Sequence, residues 1–301
     1  MGPMRKRHRY VQSGETSPYE RATLTLALES FIRARRRYVF RLPKPGSSVV
    51  LLLSGGMDSA AAWHMLVTRF RLIVYPFSVV SGPLDPQYRA IGHIAAYMRK
   101  QRAGFSREPK ILFVRAQQAL TPVFRPEVMS PSELLGSFHP EHGLFELPRF
   151  WGNTMMYAQW AYLYAQKLRV EERIPIDTVL CGVTSDDGRF VPSQTLTNMR
   201  LIMATMMQIS QEDSWQFGSV FYEPSVRADM TKAEVTRYLL RTKMPMRHTY
   251  SCDRKGILHC GTCLSCQSRK YCIQKAGRMD GTWYLDRNPV RTVARFVFGR
   301  D

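Results

Sequence analysis

The 301-residue chain is short of acids: 24 Asp and Glu stand against 43 Lys and Arg, a formal charge of +19 at pH 7. That balance either draws nucleotides, nucleic acid or an acidic protein by long-range attraction, or serves solubility alone. Charge by itself names no partner. Long apolar runs are missing, and none approaches the roughly 20 residues of a membrane-spanning helix. The first residues show no secretory core, so a cytoplasmic chain without a membrane partner is expected. Cysteine is scarce too: of six, four crowd between Cys252 and Cys266 rather than spreading into a disulfide framework. Internal repeats and low-complexity blocks are absent. So is the lysine-bearing GxxxxGK[ST] loop of the common nucleotide hydrolases.

What is present centres on Ser48 to Ser59. Val49 to Leu53 is an apolar, partly β-branched run that predicts a buried strand. Ser54, Gly55 and Gly56 follow, then Met57, Asp58 and Ser59 lead into the helix-forming Ala60–Leu66. Strand, glycine turn and helix start converge backbone N–H groups on an anion, and Ser54 and Ser59 add hydroxyls. Asp58 in that nest repels phosphate unless a cation lies between them, which points to Mg²⁺.

The rest of the chain alternates. Residues 1–44 form a basic helical head, with Met4–Arg9 as a charged run. A helix is predicted from Ser17-Pro-Tyr-Glu20 to about Arg37, capped by Ser17 and Glu20. Arg33, Arg35, Arg36 and Arg37 at its end suit the helix dipole or a polyanion. Residues 45–246 read as the nucleotide-binding α/β domain. Its strands are predicted at 72–79, 110–114, 177–183 and 220–224, and its helices at 91–101, 153–168 and 198–210. Gly82 to Tyr88 is an irregular exit, and Thr121–Arg149, rich in Pro, Gly and Ser, is a lid or substrate loop. Such alternation implies a parallel sheet with its site at the strands' C-terminal ends. Thr231 and Glu234 form a capping box, for which Lys232 is not needed.

Residues 247–301 carry Cys252, Cys260, Cys263 and Cys266. Four thiolates can close a tetrahedral Zn²⁺ site, with disulfides the alternative reading; Cys181 and Cys272 are expected to be free thiols.

Ser-Gly-Gly-Met-Asp-Ser resembles the SGGxDS loop of the N-type ATP pyrophosphatases, which cleave ATP between its α- and β-phosphates. Together with Cys252-x7-Cys-Gly-x-Cys-x2-Cys266, it resembles the QueC-like family of 7-cyano-7-deazaguanine synthases. The resemblance covers about Ser48 to Lys275 and implies a Rossmann-like adenine nucleotide α-hydrolase (PP-loop) fold with a four-cysteine zinc knot. It implies ATP, Mg²⁺ and Zn²⁺, adenylation of 7-carboxy-7-deazaguanine, and capture by ammonia with a second ATP driving nitrile formation. By resemblance, Asp58, Lys232 and Arg149 are catalytic. Ser54 to Ser59, Asn153, Gly182 and Lys232 hold ATP, and Asp186, Asp187 and Ser193 face the deazaguanine.

The departures are specific. Ser81-Gly-Pro-Leu-Asp85 replaces the family's G-Q-R-H-x-x-E segment, Ser193 stands where an aspartate is expected, and Phe150-Trp-Gly152 separates Arg149 from Asn153. QueC-like proteins of antiphage or DNA-modification clusters offer an amine on a macromolecule as acceptor instead. A tRNA-modifying thiolase or lysidine-type ligase, and a nucleotide-binding subunit without chemistry, are the other readings. A homodimer is left open.

Overall fold

The computed structural model describes residues 17–102, 104–114, 153–189, 191–226, 230–253 and 257–287. The expected Met4–Arg9 run and the Thr121–Arg149 loop lie outside the described residues.

Five parallel strands form one sheet in the order β3-β2-β1-β4-β5: β1 Ser48–Leu52, β2 Ile73–Val80, β3 Lys110–Phe113, β4 Thr178–Cys181 and β5 Gln216–Ser219. The register pairs Val50 with Tyr75 on one side and with Val179 on the other. Helices α2 (Met57–Thr68) and α3 (Pro86–Arg99) carry the chain one way from β1. Helices α4 (Asn153–Glu171) and α5 (Leu196–Ser210) carry it back past β1 in the other direction. Right-handed crossovers running in opposite directions cover opposite faces. The strand order therefore reverses between β1 and β4, and doubly wound sheets bind ligands at that switch point. The interior position explains the composition: all four residues of β4 are buried, as are ten of the twelve in α2, including Trp63 and Leu66.

Helix α1 (Ala22–Arg36) packs on α5. It starts later than predicted, at Ala22, with no side-chain cap. Glu20, expected to cap α1, instead accepts the N–H groups of Leu196 and Thr197 at the start of α5, and the Tyr222 hydroxyl at 3.0 Å. A carboxylate is worth as much at one helix N-terminus as at another, and tertiary packing chose the distant one. Two further elements differ from expectation. Asp85 caps α3 through Gln87 N with Pro86 in the first turn, so the helix begins within the stretch read as irregular. The last strand lies at 216–219 rather than 220–224, because Val220 and Phe221 are buried in the turn after it. Lys232–Arg241 forms α6, behind the predicted capping box: Glu234 Oε2 accepts Thr231 N at 2.8 Å and Thr231 Oγ1 accepts Glu234 N at 3.3 Å. The last helix, α7, spans Leu264–Lys275.

Arg200 on α5 is fully buried and paired on both sides. Its Nη1 and Nη2 donate to Glu223 at 2.5 and 3.0 Å, and its Nε donates to Glu29 of α1 at 3.1 Å. Removing the guanidinium leaves the buried Glu223 carboxylate without its cation, while Glu29 keeps Arg33 at 2.7 Å. Arg200→Ala should therefore cost about 3–5 kcal/mol, read as a lowered urea midpoint. An unchanged midpoint would show that α1 is not held by this network.

Candidate nucleotide site and four-cysteine cluster

Leaving β1, the chain turns at Gly55, whose φ of +77° suits glycine and whose would-be Cβ would lie 3.0 Å from Gln87 O. Gly56 then opens α2 without any side-chain cap. The first N–H groups of a twelve-residue helix are left facing the loop, the arrangement that binds phosphate. Ser54 and Ser59 close the loop: their hydroxyls lie 3.1 Å apart, and Ser59 Oγ accepts Ser54 N at 3.2 Å. From the other side of the switch point, Gly182 follows β4 so closely that a Cβ there would lie 2.8 Å from Asp58 O and Ser59 Cα. A side chain at 182 would push β4 off the loop.

Asp58 is the charged centre. It keeps 21% of its side-chain surface exposed. Lys232, the first residue of α6, places Nζ 3.3 Å from Asp58 Oδ2 and also bonds Asp187. Asp187 is held by Thr184 N and Oγ1, both at 2.8 Å, and Asp186 accepts Lys232 N at 2.8 Å. Burial lifts the Asp58 carboxyl to about 6; Lys232 pulls it down and Asp187 pushes it up again. Burial works against the Lys232 ammonium, but Asp58 and Asp187 outweigh it and raise its pKa. Asp187 shifts down, because Lys232 and the Thr184 donors outweigh its burial. Asp58 Oδ1 is buried without a hydrogen-bond partner. A buried carboxylate oxygen left unsatisfied beside a phosphate nest suits a hard cation.

The structure thus gathers Ser54, Gly55, Gly56, Met57, Asp58, Ser59, Gly182, Asp186, Asp187 and Lys232 at one sheet end. Asn153 begins α4. Ser193 is buried in the turn that packs on the Asp187 turn, with its hydroxyl 3.3 Å from Thr154 Oγ1. Arg149 lies outside the described residues. The Ser81–Asp85 replacement closes on itself, since Asp85 Oδ2 accepts Ser81 N at 3.1 Å and Ser81 Oγ at 2.7 Å.

The sulfurs of Cys252, Cys260, Cys263 and Cys266 lie within 4.8 Å of one another. Gly261, at φ +81°, lets Cys260 to Cys263 turn tightly enough for Cys263 N to donate to Cys260 Sγ at 3.2 Å. Cys260 N donates to Cys252 Sγ at 3.3 Å. None of the six cysteines is in a disulfide. The sulfur set and its N–H donors fit a thiophilic metal. Sequence reasoning missed the link between the two sites. Tyr250, two residues before Cys252, donates its N–H to Gly55 O at 2.8 Å. The buried Arg269 of α7 holds that segment through Thr249 Oγ1 and Met246 O, both at 2.7 Å. Backbone contacts of this kind leave no residue signature.

A parallel, doubly wound sheet with an SGGxDS loop at its switch point is the architecture of the PP-loop proteins. Within that class the comparisons point to one family. Residues 153–277 match the family described as "Queuosine biosynthesis protein QueC", and the chain is QueC-like in this stretch. The 7-cyano-7-deazaguanine synthase of Methanothrix thermoacetophila is 43% identical over 56 residues, 19% of this chain and 25% of that protein. That of Paracoccus denitrificans is 39% identical over 56 residues, 19% and 24% of the two chains. The chain thus spans about a quarter of the length of these relatives. A solved structure, "U34-tRNA thiolase NcsA from Methanococcus maripaludis with its 4Fe-4S cluster", aligns over 91% of this chain and 88% of its own. Its 13% identity and TM-score of 0.37 carry no argument. Among the described residues no helix is long and apolar enough to cross a membrane.

Proposed function

We propose that the chain is an ATP-dependent carbon–nitrogen ligase that adenylates 7-carboxy-7-deazaguanine, releases pyrophosphate, and passes the acyl group to an amine. The observation that carries this is Asp58: a carboxylate with an unpartnered oxygen at an uncapped helix start, 3.3 Å from a lysine. In this reading the N–H groups from Gly55 to Ser59 orient the β- and γ-phosphates, and Ser54 and Ser59 donate hydroxyl hydrogen bonds. Lys232 meets the charge that builds on the departing pyrophosphate. Asp58 would hold Mg²⁺, which would supply neutralisation of that same charge. Asp186 and Asp187 fix Lys232 rather than acting on it as bases. The four cysteines would hold Zn²⁺, which would supply structural rather than catalytic chemistry with four thiolates as its ligands.

A thiolase reading needs a reactive cysteine near the nucleotide. Cys181 at the sheet end and Cys272, which feels the charges of Lys232 and Asp58, are both pushed up by burial, to about 12 and about 11, so both stay protonated. The acceptor reading favoured by the +19 charge and the self-closed Ser81–Asp85 turn is an amine on a macromolecule, as in an antiphage conjugating system. Ammonia is the simpler acceptor. Incubating purified protein with ATP, the acid and ammonium should give AMP and pyrophosphate, followed by mass spectrometry. ADP and phosphate as main products would overturn the ligase assignment. Rapid nitrile formation would replace the macromolecular acceptor with ammonia.

A further inference from the structure

A parallel sheet brings together, at the end opposite the phosphate loop, every segment that leads into a strand. The segment before β1 runs across that end. With Arg169 and Asp177 it walls a cavity of about 480 Å³, bordered by the strand starts Ser48 and Gln216. That size lies within the roughly 300–1,000 Å³ of ligand pockets. The wall is pinned. Arg41 N donates to Gln216 Oε1 at 2.7 Å, and Gln216 Nε2 donates back to Arg41 O at 3.0 Å. Arg36 ties the preceding turn to Asp213 O at 3.0 Å and Trp215 O at 2.5 Å.

The charge in this cavity is oriented. The Arg41 guanidinium lies 4.6 Å from the Tyr38 ring centroid, so stacking restricts it while its N–H groups still face solvent. Arg41 and Lys44 are exposed, and neither has an acidic partner among the described residues. Of the other lining charges, Arg169 pairs with Glu212 at 2.6 Å, and Asp177, which accepts Thr178 Oγ1 at 2.8 Å, sets its negative charge against Arg36. The hydroxyl-bearing Ser47 and Ser48 also line the cavity. Beyond it, Arg37, Arg71 and Arg173 are exposed, each in the left-handed conformation, where glycine is the easier residue. The dipoles of α1, α2 and α4 favour cations at such positions. Arg41 and Lys44 belong to no helix, so that explanation does not reach them.

We propose that this cavity binds a phosphate of single-stranded nucleic acid, with Arg41 and Lys44 as its cationic pair. The surrounding arginines carry the strand's neighbouring phosphates. A walled cavity takes one phosphate with its flanking sugar, which a single strand can present and a stiff duplex cannot. The cations that continue past the rim favour a strand over a mononucleotide. The site is independent of the ligase reading, because it sits at the other end of the sheet and needs neither ATP nor an acid substrate.

The test is fluorescence anisotropy of the full chain with a fluorescein-labelled 20-nucleotide oligothymidylate, titrated with NaCl and without ATP. Arg41→Ala/Lys44→Ala should weaken binding about tenfold or more. It should also flatten the log–log salt slope by about 1.4, two contacts at about 0.7 each. A matched Lys275→Ala/Arg278→Ala variant should change neither. Four results would overturn the proposal: no binding at low salt, an equal loss in the matched variant, displacement by thymidine monophosphate at equal nucleotide concentration, or displacement by poly-glutamate as readily as by unlabelled oligonucleotide.

Discussion

Asp58→Asn is expected to slow ATP-dependent formation of AMP and pyrophosphate by about a hundredfold or more. The amide has nearly the same shape, so the turn after β1 and the Gly182 contact should survive. What goes is the negative charge facing an unpartnered position beside the uncapped start of α2. Asn keeps one oxygen, but a neutral oxygen holds a divalent cation poorly, and Lys232 is then left to Asp187. Stability should move the other way or not at all. The folded-state carboxyl is raised from about 3.8 to about 6. Above pH 6 its ionised form therefore weighs against the fold, and a neutral amide removes that burden. An intact or raised melting temperature with a collapsed rate would place the defect in chemistry. A rate within threefold of the wild type in saturating Mg²⁺ would remove Asp58 from the reacting centre.

The phosphate loop was legible because its causes are local. A buried strand, two glycines and a helix start follow one another within twelve residues, and each has its own reason in the backbone. The four cysteines were legible for the same reason: tight spacing needs no knowledge of the fold. The misread elements are those decided from far away. Nothing near Glu20 says that its carboxylate will cap a helix 176 residues on. Nothing in Gln-Phe-Gly-Ser looks like a buried strand until β4 supplies its ladder. Arg200 looks like a surface cation until Glu29 and Glu223 arrive from two other segments. The start of α3 is a different case. Asp85-Pro86 is a local capping signature that the irregular composition around it concealed.

Removing the metal from the four-cysteine cluster should be the more damaging change, because it acts on two sites at once. Binding energy at such a site is folding energy, apparent values in small zinc domains being about 10–16 kcal/mol. Here the loss would begin with the turn from Cys260 to Cys263, whose backbone donors point at sulfur. It would pass to Tyr250, which packs with Cys252, Cys260 and Cys266 in one buried cluster and bonds Gly55 O through its N–H. Without that bond the loop loses a restraint on the side facing the nucleotide. Stripping the protein with a thiol reagent and chelator should release about one zinc per chain. It should lower the melting temperature by well over 10 °C and weaken nucleotide binding before secondary structure is lost. Cys266→Ser, the most buried of the four, should reproduce both effects. The Tyr250 bond to the loop is a backbone one, so hydrogen exchange at residues 54–59 is its direct readout. Faster exchange there on metal loss is the expected result. Metal-free protein with unchanged melting and unchanged exchange would sever the cluster from the loop. Iron in place of zinc would keep the coupling and replace the metal.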